Sequence, residues 1–136
     1  MNKPNSLRDH LLAADPTLAQ NPERLLVFID EGNIRATAAP GLSFEWLYTL
    51  NIIITDYAGH PDNIAIPLLA WLRRNQPDLL TNIEKGKDAI GFEADILGND
   101  KVDLSITMPL TERVIVKRLP DESLEVTHPP EPDFGL

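Results

Sequence analysis

Between Leu42 and Gly59 apolar and polar residues alternate along one long segment, LSFEWLYTLNIIITDYAG. Phe44, Trp46, Tyr48, Leu50, Ile52 and Ile54 share one side at period two, while Glu45, Thr49, Asn51 and Thr55 fall mostly on the other. Such alternation predicts a half-buried strand in an antiparallel sheet. Fully extended, Ser43 to Tyr57 would span roughly 50 Å at about 3.3 Å per residue. A compact chain of this length is only about 35–40 Å across. The strand therefore has to bend or to project as an arm.

Ahead of it, Ser6 as an N-cap and Leu7, Leu11 and Leu12 at helical spacing predict a helix over Leu7–Ala14, stopped by Asp15-Pro16. A second turn follows over Pro16–Gln20. Leu25 to Asp30 is a dense apolar run and predicts a buried strand. Glu31-Gly32-Asn33 reads as a turn, and Ile34 to Thr37 as the partner strand. Beyond the long segment, Asp62 is placed to cap a helix reaching about Asn75. Ile64, Leu68, Trp71 and Leu72 make its single apolar stripe, and Pro67 delays or kinks it. Thr81–Asp88 is polar and reads as an exposed loop around Gly86.

The last third alternates again, through Ile90, Phe92, Ala94 and Ile96, a Gly98-Asn99-Asp100 hairpin turn, and Val102, Leu104, Ile106 and Met108. Val114 and Val116 mark a further strand, and Leu124–Thr127 a weak last one. The predicted class is α+β: a mostly antiparallel sheet with two main helices packed on it and one long strand or arm. A single domain over residues 1–128 and an extended, Pro-rich, acidic tail over 129–136 account for the chain.

Composition narrows the function. At 136 residues and 43% hydrophobic, the chain can build one real core. With no cysteine it can form neither a disulfide nor a thiolate metal site. No apolar run is long enough for a signal peptide or a membrane span. The balance of 21 acidic to 12 basic residues gives a net charge of −9, which repels DNA phosphate. Direct nucleic-acid binding is not expected. The charge serves solubility, or a surface that must pass nucleic acid without sticking to it.

Candidate chemistry is sparse. His10, His60 and His128 fall in a helix, a turn and the tail, without the spacing of a metal pair. Asp30-Glu31 and Asp56 are the carboxylates nearest to an acid–base pair, but the first two precede Gly32-Asn33 as turn residues and the third closes a strand. No phosphate-binding glycine loop or nucleophile elbow is present. The basic doublets Arg73-Arg74 and Lys117-Arg118 are too few for a nucleic-acid patch, and Trp46 and Trp71 lie on core stripes. No catalytic, cofactor-binding or metal-binding residue is assigned, no cofactor is expected, and the chain does not read as an enzyme.

Several segments together resemble one family. They are KPNSLR (Lys3 to Arg8), NPERLLVFIDEGNI (Asn21 to Ile34), LSFEWLYTLNIIITDYAG, IPLLAWLRRNQPDLL (Ile66 to Leu80), FEADILGNDKVDLSITMPLTERVIVK (Phe92 to Lys117) and HPPEPDF (His128 to Phe134). In order and spacing these are similar to the tail completion protein R family of peduoviruses, the temperate contractile-tailed phages, over nearly the whole chain. More remotely, the role resembles that of phage tail terminator proteins, α/β proteins that form hexameric rings. The resemblance implies a structural protein of the phage or prophage tail, capping the finished tail tube and allowing head–tail joining. It also implies a ring-like homo-oligomer, a hexamer, in contact with tail tube and head–tail connector proteins, and no membrane. The location implied is the virion tail, with the host cytoplasm during assembly. A transient adaptor or chaperone of tail assembly is the alternative, distinguished by its mass in solution.

Overall fold

The computed structural model describes residues 1–36 and 40–135. Helix α1 spans Lys3–Ala14 and α2 Pro16–Gln20; after a 3-10 turn at Pro22–Arg24 come strands β1, Leu25–Ala36, and β2, Phe44–Tyr57. Helix α3 (Asp62–Asn75) and two short turns of helix, α4 (Asp78–Thr81) and α5 (Ile83–Gly86), lead to β3 (Gly91–Ile96), β4 (Val102–Arg118) and β5 (Leu124–Thr127). Every described strand pairing is antiparallel. The sheet order is β1-β2-β4-β3, with β5 added to the far end of β4. The class is the expected α+β, with the two long helices α1 and α3 laid on one sheet face.

Alternation decides that face. Tyr48, Leu50, Ile52 and Ile54 of β2 are buried, and opposite them Leu104, Ile106, Met108 and Leu110 of β4 meet Leu7, Leu11, Ile64, Leu68, Trp71 and Leu72 of the helices. The two helices are joined at their apolar stripes by Trp71, whose indole N–H donates to Ser6 Oγ at 3.1 Å. Ser6 is therefore inside α1 and not its N-cap. The helix starts at Lys3 because Pro4 suits the first turn, and because a carboxylate from β4 receives its free amides, as described below. Asp15 ends α1 and caps α2, accepting from Thr17 N at 2.8 Å. Pro67 sits within α3 without ending it. Asp62 is the first helical residue, with Pro61 at the cap.

Two strand expectations at β1 are corrected. Glu31-Gly32-Asn33 is not a turn: β1 runs unbroken past it, with a register shift between Ile29 and Glu31. A partner as long as β2 lets β1 keep pairing. β2 comes close at Gly32, where a Cβ would lie 3.0 Å from the Leu47 carbonyl oxygen and 3.1 Å from Tyr48 Cβ, tighter than ordinary packing. Thr37, the expected end of a separate strand, lies outside the described residues. Nor is Leu25–Asp30 a buried strand. Leu25 is buried, but Leu26, Phe28 and Ile29 are exposed, because β1 is an edge and the helices cover one face only.

The long segment is not a lone arm. β2 is central, flanked by β1 and β4 along its length. Val114 and Val116 belong to β4 itself, which continues through Pro109. Thr111, two residues on, turns its N–H away from β2, so the donor that proline lacks falls on that same open side. Thr81–Asp88 is exposed as expected but wound into the end of α4 and into α5. From His128 to Gly135 the backbone forms neither helix nor strand and crosses its own domain, with Glu131 2.9 Å from Lys3 Nζ and the Pro130 carbonyl accepting from Arg113.

Candidate functional site

The candidates for chemistry lie apart. His10 meets the Pro67 carbonyl at 2.9 Å, His60 lies 3.5 Å from the Asp62 carboxylate in a turn, and His128 is exposed. Asp30 accepts from Asn51 at 3.2 Å on the outer sheet face, whereas Asp56 ends β2 at a φ of 50°. Among the described residues no three His, Asp or Glu side chains converge as a metal site. Arg73-Arg74 ends α3 and Lys117-Arg118 ends β4, all exposed. Trp46 packs edge-on against Phe44, ring centroids 5.4 Å apart.

What does converge is a buried polar knot where α1, α3 and β4 meet. Glu112 is buried on β4; its Oε1 accepts from the backbone N–H of Asn2 at 2.7 Å and of Lys3 at 3.3 Å, and its Oε2 from the Tyr48 hydroxyl at 2.6 Å. A carboxylate at a helix start satisfies orphan amides and meets the positive end of the dipole. Beside it, Gln76 is buried and stands in for a missing strand. Its Oε1 accepts from Thr111 N at 3.1 Å and Lys3 Nζ at 2.7 Å, and its Nε2 donates to Asp78 at 2.8 Å and Thr111 Oγ1 at 3.0 Å. That caps the β4 edge at Thr111, in the stretch between β3 and β5. Burial, the Glu112 hydrogen bond and its charge push the Tyr48 phenol far above its ordinary range. Tyr57, donating to Asp15, is raised for the same reasons. The knot ties elements together and presents no reacting group to solvent. A hollow of about 670 Å³ beside it carries both signs of charge, including the Arg35–Glu45 pair at 3.4 Å.

Two surfaces away from the knot are apolar. A groove of about 450 Å³ runs between α3 and β3, floored by Leu68, Leu104 and Ile106 and walled by Leu69 and Phe92. At the other end of the sheet, the ends of β1, β2, β4 and β5 run beyond the helices as a ribbon. Ile34, Leu42, Leu124 and Val126 are exposed there, and Phe44 and Trp46 are half-buried. The groove escaped the sequence reading, which stopped at the α3 core stripe. Leu69, apolar but off that stripe and exposed, was the available signal.

The family model of the P2 phage tail completion protein R (GpR) matches residues 1–132. The chain is 46% identical over 137 residues to Tail completion protein R of Escherichia phage P2, an alignment covering 97% of this chain and 88% of that protein. No solved structure gives a significant match.

Proposed function

This chain belongs to the P2 phage tail completion protein R family, and from that premise we propose that it is a structural tail completion protein that caps the finished tail tube and allows the head to join. The whole-chain family match carries this reading. The apolar ribbon and groove support it, since contiguous exposed apolar surface marks a site of protein contact. In this proposal the role is structural and involves no catalysis.

The finer reading is a closed ring, six-fold by the likeness to tail terminators, sitting on the tail tube and facing the head–tail connector. The excess of 21 acidic over 12 basic residues suits a lumen through which DNA passes without adhering, an effect that salt damps over about 8–10 Å. Assembly takes place in the host cytoplasm and the finished protein resides in the virion tail. Among the described residues no helix is long and apolar enough to cross a membrane.

The experiment is particle-level. A nonsense codon in the reading frame, in an inducible phage that carries it, is expected to yield free heads and unjoined tails. Supplying the chain in trans is expected to restore joined particles, with the protein detected by mass spectrometry in purified virions. Joined, infectious particles without the protein refute the structural role. A strictly monomeric chain absent from virions moves the assignment to a transient adaptor of tail assembly.

A further inference from the structure

We infer that the apolar ribbon of one copy seats in the groove between α3 and β3 of a second copy, so that the subunits associate head to tail; this deepens the ring reading and rests on it. The two surfaces lie on one sheet face at opposite ends of one strand. On β4, Leu104 and Ile106 floor the groove, and Val116 lies ten residues beyond Ile106 with the same parity. At about 3.3 Å per residue that places them roughly 33 Å apart along the strand. A ribbon cannot reach its own groove across that distance.

The chemistry of the surfaces matches. The ribbon continues the core-facing register past the last helix. Ile34, Phe44, Trp46 and Val114 fall on that side, followed by Val116 and Arg118 paired with Val126 and Leu124. Leu42, Val116, Arg118 and Leu124 line a hollow of about 350 Å³ there. The groove offers Leu69, Ile90 and Phe92, with the open edge of β3 alongside. Charge agrees as well. Among the described residues Arg118, on the same face of the ribbon as Val116, has no carboxylate within ion-pair distance. Asp62, which lines the groove, meets only His60. Arg118 on the ribbon thus complements Asp62 at the groove, a pairing that helps to fix register and partner. A contact between unlike surfaces propagates and closes into a ring, whereas a two-fold contact stops at a dimer.

Mixing variants tests this. Val126 is 52% exposed and Phe92 74%, so Val126→Asp and Phe92→Asp leave the core intact, which circular dichroism and an unchanged unfolding midpoint verify. In sedimentation velocity across a concentration series, the wild-type chain is expected to exceed a dimer at high concentration. Each variant alone is expected to associate about a hundredfold more weakly, since a carboxylate would be buried unpaired. An equimolar mixture of the two is expected to recover association and stop at a heterodimer, each chain supplying its intact surface. Arg118→Glu is expected to weaken association and Asp62→Lys in the same chain to restore it. Variants that assemble like wild type, folded variants whose mixture forms no heterodimer, or a wild-type chain that stops at monomer or dimer overturn the contact. None of these touches the tail role, which the virion experiment decides separately.

Discussion

Alkaline pH is expected to unfold this protein through two hydroxyl groups. The chain has two tyrosines, Tyr48 and Tyr57, 6% and 2% exposed, and each donates to a buried carboxylate, Glu112 and Asp15. Burial first, then the hydrogen bond and the neighbouring charge, raise both phenols well above their ordinary value of 10.0. The folded-state value is the higher one, so this stability is fully present below pH 10 and drains as pH rises, because only the unfolded chain ionises. Between pH 10 and 12 the loss is about 2.3 kcal/mol for each tyrosine and about 4.6 kcal/mol for both, at about 1.36 kcal/mol per pH unit once titration is under way. A hydrogen bond to a charged acceptor is worth about 1.5–3 kcal/mol, so Tyr48→Phe is expected to be less stable than wild type by that amount at pH 8. The wild-type advantage is then expected to vanish between about pH 11 and 12, where ionisation of unfolded tyrosine cancels it. Urea unfolding from pH 8 to 12 measures the crossover, and absorbance at 295 nm reports tyrosinate directly. Absorbance rising only together with loss of the far-ultraviolet circular dichroism supports the reasoning. A tyrosinate transition centred near pH 10 in a chain that keeps its native dichroism refutes it.

Three further predictions rest on the packing. Trp71→Ala is expected to cost about 3–5 kcal/mol in urea unfolding, the range for truncating a buried large aromatic; a cost under about 1 kcal/mol would remove Trp71 from the α1–α3 joint. Gln76→Ala is expected to cost about 2–4 kcal/mol, because it leaves the Thr111 N–H and the Lys3 ammonium short of an acceptor, and to speed amide exchange at Thr111 in particular; unchanged exchange there would disprove the edge-capping role. Burial raises the Asp78 carboxyl, but hydrogen bonds from Lys85 and Gln76 outweigh it and hold the group below its ordinary range. Its stabilisation is present above the unfolded value and lost as pH falls through the lower folded one, so Asp78→Asn is expected to flatten the acid limb of the stability profile below about pH 4; an identical acid limb would show that the pair contributes nothing.

The sequence by itself determined the class of the fold and the pairing of period with element. Period-two alternation identified β2, β3 and the start of β4, and the Ile64–Leu68–Trp71–Leu72 stripe identified α3, because burial on one face imposes those periods whatever the partner. Where the chain meets distant partners, local pattern was silent or misleading. Glu31-Gly32-Asn33 has turn composition, yet β1 runs on through it and β2 comes close at Gly32. Ser6 has cap chemistry, yet the start of α1 is received by Glu112, which is 110 residues from Asn2. Gln76 ends a helix in sequence and caps a strand edge in space. Whether an apolar residue is core or contact surface was likewise decided only in three dimensions. Phe92 and Val126 sit on the same sheet face as Leu50 and Ile52, and they are exposed because the helix layer ends before it reaches them. Side-chain periodicity fixes which face a residue points to, but only the finished packing fixes how far along that face the cover extends.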